Sequence, residues 1–408
     1  MANLAARRPR KAVWLARLAV LPLLGLLLPL LALEGALRAF GPFLPGQYQL
    51  GVLMVPDPEY GHFHLPGASV WYHSSEFVAH VRTNRYGLRG PELVEPRPPR
   101  LGRILVAGDS FVEARQMPEE ATAVAVLAAA LDAPGPARSS ARSPESSSCE
   151  VVNGGVAGWG TGEEYVFLRQ AGVHLQPDLV VLVFFLGNDV SNNVRREDPS
   201  GGWHRGPGFR LEQDGTLQEL AFTLGPDEPP LAKSLRSRSL AYTYLDSGVL
   251  GKLDEDDTEG RQPSIGKQDL FAPRESADVR RAWRLTEALL GAIEQAIERA
   301  GSRLLLVAAP TSYQVYREEW ARTVRSAAAR ESFDPLVPNR RLAQAAERLG
   351  VPLLDLLPAF QAAASSSERL YFRQDAHWTT AGNRLAASEL ASFLGQHPAL
   401  MPPGCGAL

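Results

Sequence analysis

After residue 101 the sequence alternates short apolar runs with stretches of helical periodicity, and this alternation limits the possible folds most strongly. The runs of strand length are residues 104–107, 151–152, 179–185, 304–308 and 351–354. The helical stretches are residues 119–131, 162–172, 277–300, 339–349 and 380–394. Apolar strands that alternate with amphipathic helices are typical of a parallel sheet covered on both faces. The sequence therefore predicts an α/β fold, in which ligands bind at the carboxyl ends of the strands.

One of these strand ends carries Gly108-Asp109-Ser110, directly after an apolar run. Aspartate and serine are good N-caps, so a helix cap explains this stretch on its own. A serine at the end of a buried strand is also placed to act as a nucleophile. The stretch alone leaves both interpretations open, and the cap is the simpler one.

Two further strand ends carry groups that can donate hydrogen bonds. In "VVNGGVAGWGTGEEY" a strand ends at Asn153 and glycines follow, among them Gly155 and Gly158. Glycine allows close approach of the backbone, so an N–H can face a ligand, although a tight turn explains the same residues. In "LVVLVFFLGNDVSNN" a buried strand ends near Asn188, whose side-chain amide is a donor, although a plain turn needs no function.

The stretch "YFRQDAHWTTAGN" places Asp375 two residues before His377, next to a predicted helix. An aspartate that binds the imidazole Nδ1–H fixes the tautomer and makes the histidine a candidate base. Combined with Ser110, these residues predict acyl transfer: Ser110 is the nucleophile, His377 the general base and Asp375 the orienting acid.

The predicted oxyanion hole consists of the backbone N–H groups of Ser110 and Gly158 and the side-chain amide of Asn188. With these strand ends the sequence resembles the SGNH (GDSL) hydrolases, since "GDSF", "NGGVAG", "GND" and "DAHW" occur in that order. The resemblance implies a three-layer sandwich around a parallel sheet of about five strands, of flavodoxin-like type, over residues 101–398. It also implies the roles just given, and it favours Gly158 over Gly155.

The resemblance further implies esterase, lipase, thioesterase or carbohydrate-deacetylase activity. Many members separate the acid and the base by two residues, whereas here one residue separates them. The DxHW form is similar to acetyltransferase-like proteins of bacterial exopolysaccharide export, so hydrolysis and acetyl transfer both stay open. The segment "NRYGLRGPE" resembles one found in membrane-anchored members; we expect a structural role for Arg89, with contact to the cleft as the alternative.

The N-terminus predicts a membrane anchor. Arg7, Arg8, Arg10 and Lys11 precede an apolar stretch, and residues 12–34 are long enough to span a bilayer. Glu34 stands where a signal peptidase needs small residues, so a retained signal-anchor is favoured over a cleaved signal peptide. The positive-inside rule then leaves the basic tail, residues 1–11, in the cytoplasm and the rest of the chain outside.

The remaining segments are predicted to carry no catalytic residues. Residues 41–100 are expected to form an extended lead-in that packs on the main domain, residues 133–148 a low-complexity loop, and residues 195–276 an insertion with a hairpin turning at Asp214-Gly215. The acidic run at 254–257 is expected to be a solvated loop. His62 and His64 would share one face of a strand, but no third metal ligand is evident.

The composition narrows the partners. With a net charge of -3, nothing indicates nucleic-acid binding, and no cofactor or metal is expected. Cys149 and Cys405 lie in flexible-looking sequence, which favours free thiols, although they would be able to pair in an exported domain. The favoured function is a serine esterase outside the cytoplasmic membrane that acts on a small-molecule or glycan O-acyl ester. The alternatives are an O-acetyltransferase for a cell-surface glycan and a binding or assembly protein on a degenerate hydrolase fold.

Overall fold

The computed structural model describes residues 10–41, 48–132, 149–195, 206–222, 224, 230–246, 265, 269–323 and 334–405. The strands are β1 (Tyr48–Leu50), β2 (Met54–Asp57), β3 (Gly61–His64), β4 (Ser69–His73), β5 (Val78–Arg82), β6 (Gly102–Gly108), β7 (Cys149–Gly155), β8 (Leu179–Phe185), β9 (Gly208–Leu211), β10 (Leu217–Leu220), β11 (Arg303–Ala309) and β12 (Leu353–Asp355).

The helices are numbered along the whole chain, and after residue 101 they alternate with the strands. They are α1 (Arg10–Phe40), α2 (Ser110–Glu113), α3 (Ala123–Asp132), α4 (Thr161–Gln170), α5 (Asp189–Arg195), α6 (Pro230–Arg238), α7 (Leu240–Leu245), α8 (Ala277–Arg299), α9 (Ser312–Val315), α10 (Arg317–Thr323), α11 (Val337–Leu349), α12 (Leu357–Ala363) and α13 (Thr380–Gln396). Short 3₁₀ turns span Glu119–Ala121, Gly172–Leu175 and Asp269–Phe271.

The central sheet has five parallel strands in the order β12-β11-β8-β6-β7. Numbered along the domain, the order is 2-1-3-4-5 from the β7 edge, which is the flavodoxin-like order. The chain moves outward from β6 to β7 and then returns to β8, so the switch point lies between β6 and β8. Ligands bind at such a switch point in open α/β sheets. The predicted α/β fold with about five parallel strands is confirmed.

Side chains of the sheet alternate between two apolar cores. Leu105, Val180 and Leu182 pack into one core with α4, α8 and α11, whereas Ile104 and Val181 pack into the other with α3, α12 and α13. Because successive residues of a strand point to opposite faces, a continuous apolar run fills both cores. The strands therefore appear in the sequence as unbroken apolar runs. Each face of the sheet is covered by a layer of helices.

The strand and helix bounds differ from the predicted ones mainly at their ends. The strand at 179–185 is as predicted, whereas the last strand starts at Leu353. Val351 donates its N–H to Ala346 O at the end of α11, and Pro352 has no N–H to give to a ladder. The predicted helix at 119–131 is interrupted, because Thr122 is extended and its hydroxyl accepts from the Ala125 N–H.

Residues 48–82 form two small antiparallel sheets, β1-β4-β5 and β2-β3. We call this segment and the turns that follow it, up to residue 93, the N-terminal β segment. The predicted hairpin in the insertion is confirmed, since β9 pairs with β10 around Asp214-Gly215. The low-complexity loop at 133–148 and the acidic run at 254–257 lie outside the described residues.

The end of α1 contacts the rest of the protein. The Glu34 carboxylate accepts hydrogen bonds from the N–H groups of Leu240 and Ala241 at the start of α7, and Leu37 is buried against Tyr48 and Ala241. Over the described part of the chain, no helix combines the length and the apolar character that crossing a membrane requires. The anchor at 12–34 therefore stays a prediction.

The cysteines form a disulfide, so the expectation of free thiols was wrong. Cys149 is the first residue of β7, and its Cα lies 4.5 Å from that of Cys405, 256 residues further along the chain. Both cysteines are buried, and a Cβ on Gly102 would lie only 2.8 Å from the Cys405 sulfur. The tail after α13 thus packs onto the start of β6 and β7, which the composition of the tail did not reveal.

Candidate active site

Ser110 lies at the carboxyl end of β6 and is the first residue of the four-residue helix α2. The N-cap of that helix is Asp109, whose Oδ1 accepts the Phe111 N–H at 2.9 Å. Because Asp109 fills the cap position, the Ser110 side chain is not needed there. The cap interpretation of the serine is therefore wrong for Ser110 and right for the residue before it.

Ser110, His377 and Asp375 form a hydrogen-bonded row. The Ser110 hydroxyl lies 2.8 Å from His377 Nε2, and His377 Nδ1 lies 2.6 Å from Asp375 Oδ1. The side chains of His377 and Asp375 are 22% and 26% exposed, so the row faces solvent at one side. A nucleophile, a base and an orienting acid within hydrogen-bond reach are the arrangement that activates a serine hydroxyl. The structure thus brings the three predicted residues together.

The Asp375 carboxyl is held in its ionised form. Burial would raise its pKa, but the hydrogen bond and charge of His377, together with the charge of Arg115, lower the pKa below the ordinary value of 3.8. An ionised Asp375 accepts the Nδ1–H of His377 and leaves Nε2 free to take the Ser110 proton. The aspartate is therefore in the state that the base requires over the whole neutral range.

Packing fixes the imidazole from behind. The ring of Phe111, the residue after the serine, lies 4.9 Å from the ring of His377 and 5.0 Å from that of Trp378. Trp378 is buried, and its backbone forms an isolated bridge with Tyr371. The tryptophan of the DxHW stretch therefore packs against Phe111 of α2, the same ring that contacts His377.

The predicted oxyanion donors lie around the switch point. Ser110 is the first residue of a helix, so its N–H has no partner within that helix. The Asn188 amide follows β8, and its Nδ2–H donates to Asp109 Oδ2 at 3.1 Å. Gly158 lies in the turn after β7 with a φ of +83°, a value that favours glycine. The N–H of Gly155 donates to Asn153 Oδ1 at 3.0 Å, so that N–H is already engaged within its own turn.

Beneath α2 lies a paired buried group that sequence reasoning missed, the floor cluster of His64, Arg89 and Glu113. The Glu113 carboxylate lies 3.3 Å from His64 Nε2 and accepts the Ala157 N–H at 2.9 Å. The Arg89 guanidinium donates to the carbonyls of Glu113 and Met117. Arg89 is therefore structural, as expected, and it supports the backbone of α2 and of the turn that follows it.

The histidines considered as metal ligands have other partners. His62 donates from Nε2 to Ala157 O at 2.9 Å, and His64 donates from Nδ1 to Gly87 O at 2.9 Å. Among the described residues, no group of three or more His, Cys, Asp or Glu side chains has the arrangement of a metal site. Both histidines thus join the N-terminal β segment to the turn after β7 and to α2.

Behind Asn188 lies a second buried group, the wall cluster of Asp109, Glu164 and Asp189. All three carboxyls are fully buried, and both oxygens of Glu164 lack a hydrogen-bond partner among the described residues. Burial first, and then the neighbouring carboxylates, raise the pKa of Glu164 and of Asp189 well above the ordinary values. A raised pKa favours the protonated, neutral form of a carboxyl, so the wall cluster disfavours ionisation of its acids.

The comparisons agree with this geometry over part of the chain. Residues 266–403 match the family model described as "SGNH hydrolase-like domain, acetyltransferase AlgX". No curated protein matches the sequence.

Two solved structures share the general arrangement at low similarity. One is LAE5, an alpha/beta hydrolase enzyme from the metagenome of Lake Arreo, Spain, with 15% identity, a TM-score of 0.37, and coverage of 74% of this chain and 96% of the other. The other is a catalytic mutant of Axe2, an acetylxylan esterase from Geobacillus stearothermophilus, with 13% identity, a TM-score of 0.38, and coverage of 72% and 96%. Likeness of this degree carries no argument about substrate.

The family match includes the DxHW stretch, and the described geometry brings that stretch to the serine of the GDSF block. Over residues 266–403 the chain is thus similar to an SGNH hydrolase-like domain, and this similarity supports an enzyme that acts on ester bonds.

Proposed function

We propose that this chain is a serine esterase or deacylase that acts on an O-acyl ester outside the cytoplasmic membrane through an acyl-enzyme. The observation that carries the proposal is the row of hydrogen bonds from Ser110 Oγ to His377 Nε2 and from His377 Nδ1 to Asp375 Oδ1, at 2.8 Å and 2.6 Å. In this arrangement each side chain already has the partner that its role needs.

The reaction then follows from the geometry. His377 Nε2 takes the Ser110 proton while Oγ attacks the acyl carbon, and Asp375 stabilises the imidazolium that forms. The negative oxygen of the tetrahedral intermediate accepts from the N–H groups of Ser110 and Gly158 and from the Asn188 amide. His377 returns the proton to the leaving alcohol, and Ser110 keeps the acyl group. A water molecule activated by His377 releases the acid and restores the enzyme.

The wall cluster, in which raised pKa values favour neutral carboxyls, supports this assignment. Asn188 and Ser110 adjoin Asp189 and Asp109 in sequence, so ionised carboxylates there would oppose negative charge on the substrate oxygen. The raised pKa values of Glu164 and Asp189 favour their protonated forms and so reduce that opposition. Asp109 keeps its hydrogen bond to the Asn188 amide and so fixes the donor.

A second function, O-acetyl transfer to a glycan hydroxyl, is favoured by the acetyltransferase description of the matched family model. It uses the same acyl-enzyme, with an acceptor hydroxyl in the place of water. The two functions differ only in the nucleophile that attacks the acyl-enzyme, which is water in an esterase and a glycan hydroxyl in a transferase. The products therefore distinguish them. Incubation with acetyl-nitrophenyl esters, with and without glycan acceptors, yields free acetate for an esterase and acetylated glycan for a transferase.

The test of the site is Ser110→Ala, with Ser312→Ala as the matched control. Ser312 also begins a short helix after a central strand, following Thr311 as N-cap. We expect Ser110→Ala to lose activity by about 10³-fold or more with little change in the melting temperature, since Asp109 provides the cap. Ser312→Ala should keep its activity. A folded Ser110→Ala protein with wild-type turnover would contradict the proposed mechanism.

The extracytoplasmic location is also proposed, with residues 12–34 as a retained signal-anchor. Structural disulfides such as Cys149–Cys405 persist in oxidising compartments and are rare in the cytosol. Retention is supported by Glu34 and Leu37, because cleavage beyond them would remove the contacts to α7. Full-length protein should stay with membranes after carbonate extraction, and soluble protein that starts near residue 36 would contradict retention.

A further inference from the structure

The N-terminal β segment reaches the loop that carries Asp375. The turn between β4 and β5 places Glu76 against this loop, which we call the acid loop (residues 372–377). The Glu76 carboxylate accepts the N–H groups of Arg373 at 2.7 Å, Gln374 at 2.9 Å and Asp375 at 3.0 Å. Three successive N–H groups that converge on one anion form a backbone nest.

Two neighbours of Glu76 join the same contact. The Ser75 hydroxyl donates to the side-chain carbonyl of Gln374 at 3.2 Å, and the ring of Phe77 lies 5.3 Å from that of Phe372. The whole turn therefore follows the acid loop, and the carboxylate of Glu76 is the part of it that binds the backbone.

The acid loop needs such a support. Ala376, between the acid and the base, has a φ of +63°, which a residue with a side chain rarely adopts. The Phe372 N–H donates to His377 O at 2.9 Å and closes the loop. Because Asp375 is part exposed and its own N–H ends on Glu76, the position of its carboxylate depends on that contact.

We propose that Glu76 is a positioning residue of the active site, which holds the acid loop so that Asp375 stays within hydrogen-bond reach of His377. This inference rests on the proposed roles of Ser110, His377 and Asp375. It makes the N-terminal β segment a part of the active site, although it carries none of the reacting groups.

The effect of losing Glu76 depends on the charged groups that surround Asp375 and His377. Asp375 faces His377 and Arg115, and Arg115 in turn faces Tyr72 and Glu113. His377 also faces the buried carboxyl of Asp109. If Asp375 moves away, His377 loses the carboxylate that orients it, so kcat should fall.

The experiment compares Glu76→Ala and Glu76→Gln with Asp57→Asn in the full chain. Asp57 accepts the N–H groups of Glu59 and Tyr60 in a turn of the same segment and is the matched control. We expect kcat of Glu76→Ala to fall about 10- to 100-fold with KM within about twofold, as for misplacement by about 1 Å. Glu76→Gln keeps one acceptor oxygen and should lie between. Asp57→Asn should match the wild type.

A spectroscopic readout separates this inference from the proposed reaction. The short bond from His377 Nδ1–H to Asp375 should give a low-field proton resonance, identified by its absence in His377→Gln. The resonance should persist in Ser110→Ala and weaken in both Glu76 variants. A wild type without esterase or transferase activity contradicts the reaction, while the resonance still tests the positioning.

Wild-type kcat and an intact resonance in Glu76→Ala would overturn the inference. So would an equal loss of kcat in Asp57→Asn, because the effect would then belong to the stability of the segment. If Glu76→Ala does not fold, the resonance and kcat of Glu76→Gln decide in the same way.

Discussion

Glu113 and Glu164 are both fully buried, yet their environments differ completely. In the floor cluster, Glu113 has both oxygens occupied, one facing His64 and one accepting the Ala157 N–H. In the wall cluster, Glu164 has two oxygens without a hydrogen-bond partner among the described residues. Its nearest charges are the carboxyls of Asp109 and Glu163.

The pKa values follow the partners rather than the burial. Burial would raise the pKa of both groups, but hydrogen bonding and charge from His64, with the charges of Arg115 and Arg89, lower the pKa of Glu113. No such partner offsets burial at Glu164, and its pKa is raised well above 4.5. The floor therefore stabilises an ionised carboxylate, whereas the wall favours the neutral form of its acids. Only the second is compatible with negative charge developing beside it.

The largest effect that sharpens this comparison is expected at Asn188. Its amide is fixed by Asp109 of the wall cluster and is the proposed side-chain donor to the oxyanion. Asn188→Ala should lower kcat by about 10²- to 10³-fold, the loss typical of one missing oxyanion donor. Steady-state kinetics with an acetyl ester check this. An unchanged kcat in this variant would contradict the proposal that the wall cluster holds an oxyanion donor.

Glu113→Gln should have the next largest effect, on stability. The substitution keeps the shape but removes a buried anion with charged partners, so the free energy of unfolding should fall by about 1.5–3 kcal/mol. Because the folded pKa of Glu113 is lowered, its stabilisation is present above the unfolded value of 4.5 and is lost as pH falls through the folded pKa. Denaturant unfolding should therefore show the gap to wild type closing in acid. A gap that is independent of pH would contradict an ionised Glu113.

Glu164→Gln, the same substitution at equal burial, should have the smallest effect and the opposite sign. Replacing a protonated acid by an amide of equal shape is nearly neutral or stabilising. The raised folded pKa means that wild type pays no penalty below 4.5 and an increasing one as pH rises towards the folded pKa. The variant should thus gain on wild type as pH rises above 4.5. Destabilisation that grows with pH would show that Glu164 is an ionised, paired group.

The sequence predicted the residues whose position follows from the sheet. Ser110, Asn188 and Gly158 each follow a strand that reads as an apolar run, and parallel strands bring their carboxyl ends to one edge. Asp375 and His377 are two residues apart, so their pairing needed only a local motif. In these cases the information is local, or is carried by a periodicity that a single sequence displays.

The supports of the site were not predictable in the same way. Glu76 meets Asp375 across 299 positions, and His64 meets Glu113 across 49. Each pair consists of polar residues that would look ordinary on a surface, and only the packing of the N-terminal β segment brings them together. The prediction of free thiols was wrong for the same reason. The composition around Cys149 and Cys405 indicated flexibility, but it did not show that the chain brings the two residues together.

The most direct test of the central claim is covalent labelling of the full chain with a fluorophosphonate, followed by mass spectrometry of the peptides. The account predicts one adduct, on Ser110, because His377 Nε2 lies 2.8 Å from that hydroxyl and activates it. The adduct should be absent from Ser110→Ala and His377→Ala and present in Ser312→Ala. Labelling elsewhere, or undiminished labelling of Ser110 in His377→Ala, would contradict the proposed nucleophile and base.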